Sequence, residues 1–166
     1  MRGVLRKGKT LTGARALVVG AGGVGSAIAA SLAAAGIAGI GLFDAHGTAA
    51  DSLGNRLKEH YPGLAVRTGS NDAEGYDVIV NATPLGMKPG DPLPVDVAKI
   101  APSAFVGEVV MKEEYTPFLR AVMEKGCKVQ VGTDMLFEQI PAYLEFFGFK
   151  TTTPEQLREL SQIKYQ

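Results

Sequence analysis

The sequence predicts a doubly wound α/β fold, a parallel six-stranded sheet with helices on both faces and additional helices at the C-terminal end. Two observations carry this. Short β-branched apolar runs alternate along the chain with helix-forming stretches. The strand-like runs are apolar on both faces, as strands covered from both sides must be. A chain of 166 residues with 46% apolar and 20% charged residues can bury one real core. We therefore read residues 1–166 as a single domain, with 133–166 as its C-terminal helices.

The elements follow in order. Arg15–Gly20 (RALVVG) reads as the first strand, and the Ala-rich run from Val24 to Ala35 as a helix that stops at Gly36. Ile37–Phe43 is the second strand, Thr48–His60 a helix ending near Pro62, and Leu64–Arg67 a short third strand. Asp77–Val80 and Ser103–Val110 supply the fourth and fifth strands. Thr116–Lys125 is a helix with Pro117 at an early position, and Lys128–Val131 is the sixth strand. Asp134–Phe147 reads as a helix interrupted at Pro141, and Thr153–Ile163 as another, with Thr153 as N-cap and Pro154 at its first position. The apolar residues of 134–147 exceed what one sheet face needs. They either complete this core or meet another domain or subunit.

Composition excludes several classes. Lys plus Arg and Asp plus Glu each total 17, so nothing in the net charge favours nucleic acid or an anionic membrane. The apolar run Ala27–Ala35 is too short to span a bilayer, and the basic opening MRGVLRKGKTLTG is not followed by a leader-like apolar segment. The single cysteine, Cys127, cannot form an intramolecular disulfide, and no Cys/His cluster has metal-ligand spacing. The chain reads as a reduced, cytoplasmic protein without structural zinc, and Cys127 as an inert core thiol.

Gly20-Ala21-Gly22-Gly23-Val24-Gly25 fits G-x-G-x-x-G between a strand and a helix. Gly20 permits the tight turn, Gly22 lets the backbone approach a pyrophosphate, and Gly25 lets helix pack on strand. The N–H groups at the helix head then face the phosphates, which points to a dinucleotide site in a Rossmann sheet. Asp44 follows at the distance where a carboxylate accepts hydrogen bonds from the adenosine ribose. The alternative is that it caps the helix starting near Thr48. Ala45, His46 and the residues after them include no Arg or Lys to neutralise a 2′-phosphate, so NAD is favoured over NADP. After the fourth strand, Asn81, Ala82 and Thr83 open the run NATPLGM. Asn81 and Thr83 offer hydrogen bonds to the nicotinamide half of a cofactor, or else form an Asx-type turn.

Four segments, VVGAGGVGSAIA, VNATPLGM, EEYTPFLRAVMEKGCKV and GTDMLFEQIPAYLEFFG, together resemble the C-terminal cofactor domain of the shikimate/quinate dehydrogenase family. The resemblance implies reversible NAD(P)-linked oxidation of a ring hydroxyl of shikimate, quinate or a related hydroxy acid, a step of aromatic amino acid biosynthesis. It implies that Val109 and Gly132 touch the nicotinamide half of the cofactor and that Gln139 contacts substrate. Met111 stands where the family places a substrate-contacting Tyr, which argues against strict shikimate specificity. The Asp at position 44 resembles the NAD-using branch, since many members carry an Asn-Arg-Thr run there.

The resemblance also implies that the catalytic Lys–Asp pair and the substrate site belong to an N-terminal domain that this chain lacks. No catalytic residue is therefore assigned. Lys88 and Lys112 read as solvated loop charges, His46 as a ribose-side loop residue and His60 as a helix-end residue. Two expectations follow: a dehydrogenase half that binds cofactor without turnover until a separate substrate domain joins it, or a stand-alone NAD-binding regulatory or interaction module. In either case the apolar C-terminal helix could mediate a homo-oligomer.

Overall fold

In the computed structural model, residue 8, residues 10–161 and residue 163 are described. The basic opening segment 1–7 lies outside them. The elements run β1 (Arg15–Val19), α1 (Gly23–Ala34), β2 (Gly39–Phe43), α2 (Gly47–His60), β3 (Ala65–Thr68) and β4 (Val78–Asn81). They continue with a 3-10 turn (Val97–Lys99), β5 (Phe105–Glu108), α3 (Pro117–Glu124), β6 (Lys128–Gln130), α4 (Gly132–Phe146) and α5 (Pro154–Leu160). All six strands are parallel, in the order β3-β2-β1-β4-β5-β6. This is the doubly wound sheet, and strand order reverses between β1 and β4.

Alternation along each strand divides the core into two layers. Ala16 and Val18 of β1 join Ile40, Leu42, Val78, Val80 and Phe105 under α1 and α2. Leu17, Val19, Ile79 and Val106 pack on the opposite face against Phe118, Leu119 and Val122 of α3. Leu17, Val18, Val78 and Ile79 are fully buried, and each such side chain contributes about 1.5–3 kcal/mol relative to exposure. A single charge at any of these positions would break the sheet.

Register sets the strand lengths and trims the expected ones. Pairing of β2 begins at Arg15↔Gly39, so Ile37 and Ala38 only lead into the strand. Pairing of β5 spans Val78↔Phe105 to Asn81↔Glu108, so Ser103, Val109 and Val110 lie outside it. The third strand sits one residue later than expected, at Ala65–Thr68, because Ala65 pairs with the first residue of β2.

Helix ends show their causes. After α1, Gly36 adopts φ 82°, and its N–H donates to the Ala33 carbonyl. The Thr116 hydroxyl accepts the Leu119 N–H at the head of α3, with Pro117 in the first turn. Thr153 and Gln156 form a reciprocal capping box on α5. The expected interruption at Pro141 does not occur. Helix α4 runs through it, although proline has no N–H to give. It also begins at Gly132, two residues before the expected Asp134, and α5 ends at Leu160, short of Ile163. Arg158 of α5 donates two hydrogen bonds to Asp134 of α4 and lies over the Phe137 ring, fastening the two helices together.

Among the described residues, no helix is long and apolar enough to cross a membrane, and no group of three or more His, Cys, Asp or Glu could hold a metal.

Candidate functional site: the glycine turn and the wall beside α4

The glycine turn leaves β1 at the point where strand order reverses. Gly20 has φ 104°, a left-handed conformation that side chains resist. A Cβ there would lie 2.6 Å from the Ala82 carbonyl oxygen, so the turn after β4 presses directly against the glycine turn. Gly25 is just as constrained: a Cβ would stand 1.9 Å from the Gly20 carbonyl oxygen. Gly22 and Gly23 differ, since a Cβ at either meets nothing within 4 Å. Gly22 has φ −70°, open to any residue, and it precedes the first turn of α1. Its small size therefore serves open space outside the fold. Helix geometry leaves the first amides of α1 without intrahelical acceptors. Ala21 is buried under the turn and Val24 is exposed beside it.

Asp44 follows the end of β2. One carboxylate oxygen accepts the Ala21 N–H at 2.7 Å and the other the His46 N–H at 2.8 Å. These two bonds, Ala21 first, hold its carboxyl below the ordinary value of 3.8. Asp44 therefore ties the glycine turn to the loop 44–46 and does not cap α2, whose N-cap is His46. Ala45 and His46 are exposed, and the His46 ring lies 3.5 Å from Asp44.

The run NATPLGM forms an Asx turn. Asn81 is fully buried; its side-chain oxygen accepts from the Thr83 N–H and the Thr83 hydroxyl, and its amide donates to the Leu85 carbonyl. The Thr83 hydroxyl in turn accepts the Leu85 N–H. Of the two readings of these side chains, the bonds of the Asx-type turn are the ones the structure contains. Ala82 contributes through its backbone, packed on Gly20.

The second half of the site is a wall. A Cβ at Gly132 would lie 2.0 Å from the Val110 carbonyl oxygen and 3.0 Å from the Val109 carbonyl carbon, so the head of α4 packs against 109–110. A cavity of about 580 Å³ opens between α1 and α4, over β4 and β5; it brings together Gly23, Val24, Val109, Gln130, Gln139 and Tyr143. Met111 is 48% exposed and lies outside that lining. Lys88 and Lys112 are exposed, and the His46 side chain is 90% exposed. Cys127 is buried, which pushes its thiol up and makes it unreactive.

One residue has no counterpart in the sequence reading. Glu108, the last residue of β5, is 3% exposed, with one carboxyl oxygen accepting the Thr116 hydroxyl and the other without a partner. Burial pushes its pKa up to about 7, against the opposing pull of Thr116 and Asn81. Alternation with Val106 places it inward, and a lone acid in FVGEVV was the available signal.

Topology and glycine turn together define a Rossmann domain of dinucleotide-binding type. A model of the ThiF family matches residues 4–53. The chain is 31% identical to the shikimate dehydrogenase (NADP(+)) of Paracoccus denitrificans over 144 residues, 86% of this chain and 51% of that protein. Among solved structures it superposes on a quinate dehydrogenase from Corynebacterium glutamicum in complex with NAD. That match has TM-score 0.80 and 28% identity, covering 95% of this chain and 58% of the other. It also superposes on a ligand-free 5-ketofructose reductase of Gluconobacter, with TM-score 0.84, 25% identity and the same coverage. Over most of its length the chain is thus similar to one part of shikimate and quinate dehydrogenases. It spans about half the length of the curated relatives it matches.

Proposed function

We propose that this chain is the cofactor-binding half of an NAD(P)-linked dehydrogenase acting on a ring hydroxyl of shikimate, quinate or a related hydroxy acid, and that it does not turn over alone. The observation that carries this is the open space at Gly22 beside the free amides at the head of α1, with Asp44 adjoining. A pyrophosphate fits there. Val109 and Gly132 would border the nicotinamide end of a bound cofactor, which supplies or takes up a hydride, and Gln139 would face the substrate. Gly20, Ala21, Gly22, Gly23, Val24 and Gly25 hold the diphosphate, and Asp44, Ala45 and His46 border the adenosine ribose. Asn81 and Thr83 act by shaping the turn that Ala82 presses on Gly20.

We further propose NAD as the preferred cofactor. An ionised Asp44 would repel a 2′-phosphate, and Ala45, His46, Gly47 and Thr48 bring no compensating cation. The first relative above is named for NADP(+), whereas the quinate dehydrogenase was solved with NAD. Titration calorimetry with both cofactors tests the reading. NAD binding that is lost in Gly22→Val and weakened in Asp44→Ala is expected, and absence of binding by the wild-type chain would sink it.

The part of the relatives that this chain does not span is proposed to cover the cavity between α1 and α4. The cavity lies over Val78, Val80 and Phe105, on a face that α1 covers at one side and α4 at the other. Beside the cavity, Tyr143, Phe146, Phe147 and Phe149 are 58–81% exposed, more apolar surface than a lone domain normally shows. Adding a separately produced N-terminal half of a relative should restore dehydrogenase activity. Self-association that survives Phe146→Ser and Phe147→Ser would count against this surface.

A further inference from the structure

Glu108 is the one buried acid of the sheet that the proposed cofactor contacts do not use. It sits opposite Asn81 in the β4–β5 register, at the carboxyl edge of both strands. Its oxygen Oε2 accepts from the Thr116 hydroxyl at 3.0 Å, and that same hydroxyl accepts the Leu119 N–H that starts α3. On the other side, Asn81 organises the turn 81–85, and Gly86 of that turn lies against Thr116, where an added Cβ would stand 3.5 Å from its methyl group. The Val109 N–H, next in sequence to Glu108, donates to the Asn81 carbonyl. One side chain therefore joins the turn after β4, the segment 109–116 and the head of α3.

We infer that Glu108 is a positioning residue: by holding Thr116 and facing Asn81, it locks the turn after β4 to segment 109–116 and fixes Val109 against Gly132. The inference rests on the dinucleotide reading of the preceding section. Glu108 touches no cofactor itself. It acts chiefly on the nicotinamide half, where Thr116, Val109 and Gly132 lie, whereas the adenosine half is held by α1 and Asp44 and meets the turn after β4 only through Ala82 at Gly20. Below about pH 7 burial keeps the carboxyl protonated, and glutamine then matches it in shape and charge.

The test measures affinity of the chain for NAD+ and for ADP-ribose, which lacks the nicotinamide. The wild type should bind NAD+ more tightly than ADP-ribose. Glu108→Ala should lose about tenfold for NAD+ and less than about twofold for ADP-ribose, and Glu108→Gln should recover most of the loss. Should the alanine variant fail to fold, Thr116→Val, which removes the same bond, is expected to give the same split. Equal losses for both ligands, or no loss, would overturn the inference. If the wild type binds both ligands equally, the inference falls while the cofactor site stands. If it binds neither, both fall.

Discussion

The carboxylate of Asp44 and the amide of Ala21, 23 residues apart in sequence, meet at 2.7 Å and clasp the glycine turn to the end of β2. One group thus serves fold and proposed ligand. Asp44→Asn should cost about 1–2 kcal/mol of stability at neutral pH, the worth of a charge-assisted bond to the backbone. The folded carboxyl titrates below 3.8, so its stabilisation is fully present above that value and fades as pH falls through the depressed one. Denaturant midpoints of the two proteins should therefore differ at pH 7 and converge in strong acid.

The glycines of the turn should separate folding from binding. Gly25→Ala places a Cβ 1.9 Å from the Gly20 carbonyl, a backbone atom that cannot yield. Loss of several kcal/mol, or of folding, is expected, on the order of the most severe point changes. Gly22→Ala meets nothing within 4 Å and has an ordinary φ. Its melting temperature should match the wild type while NAD affinity falls at least about tenfold. A Gly22 variant that melts early would show that the space at Gly22 belongs to the fold.

Much of this was legible because short-range physics decides it. The G-x-G-x-x-G run, the Ala-rich helix and Gly36 each carry their own signal, and the glycine turn lies where that pattern placed it. Asn81 was less legible: its two candidate partners, ligand and turn, use the same atoms, and only burial at β4 decides between them. Glu108 escaped because its partners, Thr116 and Asn81, come from other elements. Helix α4 continues through Pro141, and the contacts that place it, Gly132 on Val110 and Arg158 on Asp134, come from other elements and are not encoded in local propensity.

Glu108 gives the protein an unusual pH dependence. Its folded pKa of about 7 lies above the ordinary 4.5, so the folded state holds a proton that the unfolded state releases between these values. Stability from this group is fully present below 4.5 and is lost as pH rises toward about 7, a penalty of about 3 kcal/mol at roughly 1.4 kcal/mol per pH unit. Glu113 adds to it by repulsion. Glu108→Gln should remove the slope, leaving the variant more stable than wild type at pH 8, with the difference falling below about 1 kcal/mol at pH 5. The depressed groups Asp44, Asp72 and Asp91 titrate below 3.8 and do not overlap this window. Parallel unfolding curves at pH 5, 6, 7 and 8 decide the matter.

The pair Asp134–Arg158 should control the substrate side of the site separately from the cofactor side. Asp134 is 7% exposed, and Arg158 donates to its Oδ1 at 2.7 and 3.2 Å while covering the Phe137 ring. Arg158→Met leaves a buried carboxylate without its cation, at a cost of about 1–3 kcal/mol once partial exposure of the arginine is allowed for. The strain falls on α4, which carries Gly132 and Gln139, whereas α1 and the glycine turn form the far wall of the cavity. Hydrogen exchange should therefore rise across 132–160 and stay unchanged across 15–34, and ADP-ribose affinity should be unaltered. Adding Asp134→Asn to Arg158→Met removes the buried negative charge and should recover part of the loss. Faster exchange at the glycine turn in the single variant would mean that the two halves of the site are one cooperative unit.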